Sequence, residues 1–205
     1  MVVDEYLDKV AKEKSMNMEL LKCNVDVDVD KIEMIMINEA MPNNIEHYFY
    51  SSNRTAEYAL SAISIFQKAG ADIKQVTDIL NMGIYITSAV KHSKKESVIS
   101  TDVVKQYSFL LEEELKLFKN LKVIMLMGDV AKKSVNLIAK RNTKKNVIPA
   151  MSTYKIRQEN FFYKDIQVIP SYIMTGPNLL LEKNKVNMIV EDVQKGLRVL
   201  GVKLL

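Results

Sequence analysis

The chain has 205 residues, 48% hydrophobic and 26% charged, with 29 basic against 25 acidic side chains and a formal net charge of +4. A chain of this length buries roughly 70% of the surface its unfolded form would expose, enough for one core without disulfide or metal staples. Cys23 is the only cysteine, which excludes an internal disulfide, a four-cysteine zinc site and a cysteine-held iron-sulfur cluster, and fits a reducing, cytoplasmic setting.

In chain order, the first 20 residues read as a helix outside the main scheme, residues 1–25 forming a helical extension to a single domain spanning 1–205. The start, MVVDEYLDK, is acidic, and the longest apolar run, Val123 to Met127, is far too short to span a bilayer, so neither a signal peptide nor a membrane span is expected. Four continuous apolar runs read as buried parallel strands: Ile32 to Ile37, Gly83 to Thr87, Lys122 to Met127 and Asp165 to Pro170. Helical patterns separate them. Ala56, Ala59, Leu60, Ile63 and Phe66 form an apolar stripe ending at Gly70. Thr101 is placed to cap a second helix with Val104, Tyr107, Leu111, Leu115 and Phe118 inward and Glu112 to Glu114 outward. A third begins at Asp129, and a fourth carries Val186, Ile189, Val193, Leu197 and Leu200. This alternation implies a three-layer α/β/α sandwich around a central four-stranded parallel sheet.

Several motifs fail on their chemistry. Asp26, Asp28 and Asp30 mimic a calcium loop, but Lys31 and Ile37 occupy its glycine and glutamate positions. His47 and His92, the only histidines, lie 45 residues apart without paired ligands, so no metal is expected. No GxGxxG, GxxxxGK[ST] or GxSxG occurs. The charge distribution is more informative. Residues 1–50 hold 11 acids and 5 bases, whereas 130–158 hold eight bases and no acid. A basic segment of that density is a footprint for phosphate backbones, and equally describes a solvated helix face.

Ligands of open parallel sheets bind beyond the carboxyl ends of the strands. Read there, four segments together are similar to the uracil-DNA glycosylase superfamily. IMINEAMPNN resembles the family's GEAPG-like water-activating loop, and YITSAVKHSKK its YITNVVKxRPP segment. EEELKLFKNLKVIMLMGDVAKKS resembles ELxxIxPxVIVxLGxxAA, and VIPSYIMTGPNLL stands where the family has VxPTYHPSxLL. The resemblance covers roughly residues 30–200. It implies the family's α/β/α fold and hydrolysis of the glycosidic bond of uracil, or another deaminated base, flipped out of single- or double-stranded DNA, without cofactor or metal.

By that resemblance Glu39 is the catalytic, water-orienting carboxylate, beside Asn38, and Phe49 or Tyr50 stacks on the base. Ser88 stands where the family has its uracil-reading asparagine, and Ile173 where it has a histidine, with Tyr172, Thr175 or backbone near Gly176 as substitute donors. Lys132, Lys133, Lys144, Lys145, Lys155 and Arg157 are the expected DNA contacts. Gly176-Pro177 would set a turn, with Asn178 capping the last helix. Two rival readings stay open: a catalytically impaired nucleic-acid or nucleotide binding member of the superfamily, and a hydrolase of small nucleoside-like substrates. The sequence leaves the oligomeric state undetermined.

Overall fold

The computed structural model describes residues 1–93, 98–176 and 179–204. Five strands form one sheet in the order β2-β1-β3-β5-β4, from β1 (Met34–Met41), β2 (Ile84–Ser93), β3 (Val123–Met127), β4 (Phe161–Tyr163) and β5 (Ile166–Ser171). The four expected strands, β1, β2, β3 and β5, pair parallel with one another. The expected sheet was one strand short. Three-residue β4 pairs antiparallel with β5 across a tight turn at Lys164, whose φ is 55°. Its half-exposed FFY has neither length nor alternation to announce it.

Side chains on successive strand residues point to opposite faces, so each strand supplies two cores. Met34, Met36, Ile84, Ile86 and Met125 pack beneath α2 (Glu57–Lys68), α3 (Val76–Asn81) and α7 (Lys183–Val199). Ile35, Ile37, Tyr85, Ile124 and Leu126 pack beneath α1 (Val3–Glu13), α4 (Thr101–Lys116) and α5 (Asp129–Thr143). The result is the three-layer α/β/α architecture. A one-turn helix, α6 (Thr153–Ile156), interrupts the long connection after α5.

Several local expectations are corrected. The N-terminal helix is only 11 residues long and belongs to the second layer, with Val3 and Leu7 buried; beyond it, Leu21 N–H bonds to Lys91 C=O along edge strand β2. In α2 the buried apolar positions are Ala62, Ile65 and Phe66, followed by Ala69 at its end, whereas Leu60 is exposed. These four residues follow the i, i+3, i+4, i+7 pattern, so of the expected stripe Ala56 and Phe66 are buried, Ala59 and Ile63 half-buried and Leu60 exposed. Ser100, not Thr101, caps α4 by accepting the Val103 N–H. Glu114, expected outside, is wholly buried. It pairs with Lys91 at 2.7 Å and accepts from Thr87 Oγ1 (2.8 Å) and the Tyr85 hydroxyl (3.2 Å). Helix α3 is an addition, and Asn178 lies outside the described residues, as do Lys94 and Lys95 of the second motif.

The sheet order places the functional crevice. From β1 the chain moves outward to β2 and then returns past β1 to β3, so the order reverses between β1 and β3. In open α/β sheets this switch point, at the carboxyl ends of the two strands, is where helices diverge and leave room for ligands.

Candidate functional site

At the switch point β1 ends with Asn38 and Glu39, and β3 runs through Gly128 into α5. Gly128 has φ 101°, a conformation glycine adopts without steric cost. Its missing side chain also serves packing. A Cβ there would lie 2.6 Å from Glu39 Oε1 and 2.7 Å from Ile173 Cγ1. The ends of β1 and β3 and the segment after β5 therefore meet at one point, at which a half-buried carboxylate is exposed to an apolar side chain. The Val130 N–H donates to Glu39 Oε1 at 3.2 Å. Glu39 thus occupies the amino end of α5, where a carboxylate is favoured by the unpaired N–H groups and the helix dipole. Asp129, the first residue of α5, points out and pairs with Lys132. Among the described residues no hydrogen bond reaches Glu39 Oε2.

Asn38 faces the opposite side of the sheet from Glu39, as period two requires. It is 2% exposed, its Nδ2 donates to the Ala40 carbonyl at 3.1 Å, and its Oδ1 is buried without a partner. Ser88 is its register neighbour on β2, fully buried, with its Oγ 3.1 Å from the Tyr48 hydroxyl. Burial drives Tyr48 well above the ordinary phenol range, so this hydroxyl remains protonated near neutral pH.

Tyr58 links the two sides. Its ring lies 6.2 Å from Tyr48 and 5.3 Å from Phe49. Burial raises its hydroxyl pKa, an adjacent Thr175 side chain offsets part of the rise, and the Glu39 charge adds to it. Glu39, Gly128, Ile173, Thr175 and Tyr58 thus form one neighbourhood, joined through Tyr58 to Tyr48, Ser88 and Asn38. Tyr48 and Tyr58 were missed from sequence. The signal available was a run of aromatics immediately after the acidic strand end, HYFY, and an aromatic beside the helical stripe.

Other expected residues are placed elsewhere. The Phe49 ring is buried in the core, 1% exposed, with its edge against Tyr48 at 5.1 Å. Tyr50 stacks on Tyr85 at 5.9 Å and accepts the Ile86 N–H. Neither is brought to Glu39. Tyr172 turns toward a shallow recess with Leu181 and Met188.

The basic segment divides. Lys132 is buried against Asp129, Thr153 Oγ1 and the Met151 carbonyl, and Arg157 is buried against Asp192, Glu191 and the Met188 carbonyl. Both expected DNA contacts therefore spend their donors inside the protein, through partners distant in sequence. Ser171 Oγ donates to the same Asp192 at 2.7 Å, and burial pushes that carboxyl up to about 6 despite Arg157. Exposed Lys133 and Lys140 remain beside a cleft of about 530 Å³ between α5 and residues 146–152. Lys144, Lys145 and Lys155 are exposed. At 1.5 Å per residue, Lys144 at the end of α5 lies about 20 Å from the helix start, and so from Glu39.

Among the described residues no cluster of three or more His, Cys, Asp or Glu is placed to hold a metal ion, and no helix is long and apolar enough to cross a membrane. No protein-family model matches the chain, and no curated protein matches it. Among solved structures the chain is similar to the wild-type UNG of Nitratifractor salsuginis, with 11% sequence identity and a TM-score of 0.45, over 93% of this chain and 85% of that one.

Proposed function

We propose that the protein is a DNA N-glycosylase that removes uracil or another deaminated base by water attack at the sugar C1′. The observation that carries this reading is the meeting of Glu39 and the β5 exit segment at the Gly128 turn, in the switch-point crevice. It combines with the four motifs that resemble the glycosylase superfamily. In this reading Val130 N–H fixes Glu39 Oε1, and Oε2 orients the water and takes its proton as oxygen bonds to C1′. The C1′–N bond breaks with its electron pair leaving on the base. The Asn38 carbonyl accepts a base N–H, while the Ser88 and Tyr48 hydroxyls address a neighbouring base oxygen. Lys133 and Lys140 hold phosphates along the α5 cleft.

A second reading, a nucleic-acid-binding relative without turnover, is favoured by Ile173. An aliphatic group beside Glu39 supplies no hydrogen bond to a departing base anion, and losing such a donor costs roughly 10²- to 10³-fold in rate. The discriminating experiment incubates the protein with oligonucleotides containing uracil or hypoxanthine, single- and double-stranded, and cleaves abasic products with alkali. Strand scission supports the first reading. Salt-sensitive binding without scission supports the second.

A further inference from the structure

A second cleft, of about 660 Å³, is lined by Phe49 and Tyr50 but not by Tyr48, Ser88 or Glu39. Its walls come from four separate places: Cys23 to Val25, residues 49–54 after β1, one face of α2, and the entry to α3. One wall is apolar, built from Val25, Phe49, Leu60, Ile63 and Val76. Leu60 is 47% exposed here, whereas Ile65 on the same helix is fully buried and Ile63 is half-buried. The rest of the lining is largely polar, with Asn24, Ser51, Asn53, Gln75, Arg54 and Lys74.

The charge of that lining is one-sided. No Asp or Glu lines the cleft, and among the described residues neither Arg54 nor Lys74 forms a salt bridge. Two carboxylates lie just behind the lining and are already engaged: Asp78 by the backbone N–H groups of Lys74 and Gln75, at 2.8 and 3.0 Å, and Asp4 by those of Cys23 and Asn24, at 2.9 and 2.8 Å. Around Arg54 the chain is braced: Asn53 Oδ1 accepts both the N–H and the hydroxyl of Thr55, and Ser51 Oγ accepts the Asn53 N–H. Two cations that form no ion pair among the described residues are notable beside an N-terminal region that is acidic overall. An open recess of this size, half apolar wall and half cationic, amide and hydroxyl rim, suits a ligand with a flat apolar body and an anionic end.

We propose that this cleft binds a nucleoside monophosphate unit, its heterocycle against Leu60 and Ile63 and its phosphate between Arg54 and Lys74. The unit is either a free nucleotide or one residue of a nucleic-acid strand. The proposal does not depend on the glycosylase reading, because the cleft contains none of the residues assigned there to water or base-edge chemistry.

The test is saturation-transfer NMR and calorimetric titration of the intact protein with uridine 5′-monophosphate, uridine, inorganic phosphate and a five-residue oligothymidylate. The nucleotide is expected to bind at least about tenfold more tightly than uridine or phosphate alone, since each charge-assisted phosphate contact adds affinity. The Arg54→Glu/Lys74→Glu variant is expected to lose that advantage, and Leu60→Glu to weaken nucleotide and nucleoside alike. Lys119→Glu, exposed before β3 and lining neither cleft, should leave mononucleotide affinity unchanged. Competition by the oligothymidylate at the same cross-peaks assigns the cleft to a strand, and its failure to compete assigns it to a free nucleotide. Equal affinity for uridine and its monophosphate, or full nucleotide binding by the folded Arg54→Glu/Lys74→Glu variant, would overturn the proposal. Circular dichroism of each variant confirms that loss of binding is not loss of fold.

Discussion

Replacing Glu114 with Gln is expected to destabilise the protein by about 3 kcal/mol, the lower end of what removing one partner of a buried ion pair costs. Glu114 is wholly buried and Lys91 is 5% exposed, so the substitution strands an ammonium group inside the α4 face of the sheet. The glutamine oxygen can still accept from Thr87 and Tyr85, which is why the lower end applies. Removing both charges is predicted to recover most of the loss. A Lys91→Met/Glu114→Leu variant should retain a deficit of about 1–2 kcal/mol, from the two hydroxyls left without their carboxylate acceptor. Urea unfolding followed by circular dichroism at pH 7 measures both variants, with the denaturant slope unchanged if the folded state is intact. In a thermal scan the single substitution should lower the midpoint by about 6–12 °C for a domain of this size. A single variant losing less than about 1 kcal/mol, or a double variant losing as much as the single, would refute the claim that charge burial dominates here.

Asp192 gives a pH signature. Its folded carboxyl lies near 6 against an ordinary 3.8, so its protonated form contributes stability below about pH 4 that is lost as pH rises through 6, up to about 3 kcal/mol. Chemical denaturation across pH 4–7 should show a slope in that window that Asp192→Asn abolishes. Gly128→Ala should cost at least about 2 kcal/mol, since a Cβ both strains φ at 101° and meets Glu39 and Ile173, and it should depress base excision beyond the loss of folded protein. Lys133→Ala and Lys140→Ala should each reduce the slope of log affinity against log salt for an oligonucleotide by about one, whereas Lys155→Ala, on the separate one-turn helix, tests how far the phosphate track extends.

The parallel strands were legible because burial on both faces writes itself as an unbroken apolar run, and α7 because its stripe repeats at helical spacing. What escaped depends on partners far away in the chain. Glu114 sits in an EEE run that reads as solvent-facing, and only Lys91, 23 residues earlier on an edge strand, turns it inward. Lys132 and Arg157 look like phosphate ligands until Thr153 and Asp192 are brought against them. Glu39 was marked by its place just beyond the first expected strand and by the resemblance of that segment to a water-activating loop. Its hold on the α5 amino terminus was not visible, because nothing local links residues 39 and 130. Tyr58 escaped for the same reason: its neighbours Tyr48 and Thr175 come from different loops.

Single-turnover excision of uracil by the wild type and Glu39→Gln, at protein concentrations that saturate the oligonucleotide, tests the proposed role of the carboxylate most directly. A drop of at least about 10²-fold in the excision rate, with oligonucleotide affinity unchanged, is the predicted result for a group that orients and deprotonates the attacking water. Equal rates in the two proteins would contradict it and leave Glu39 as a helix cap alone.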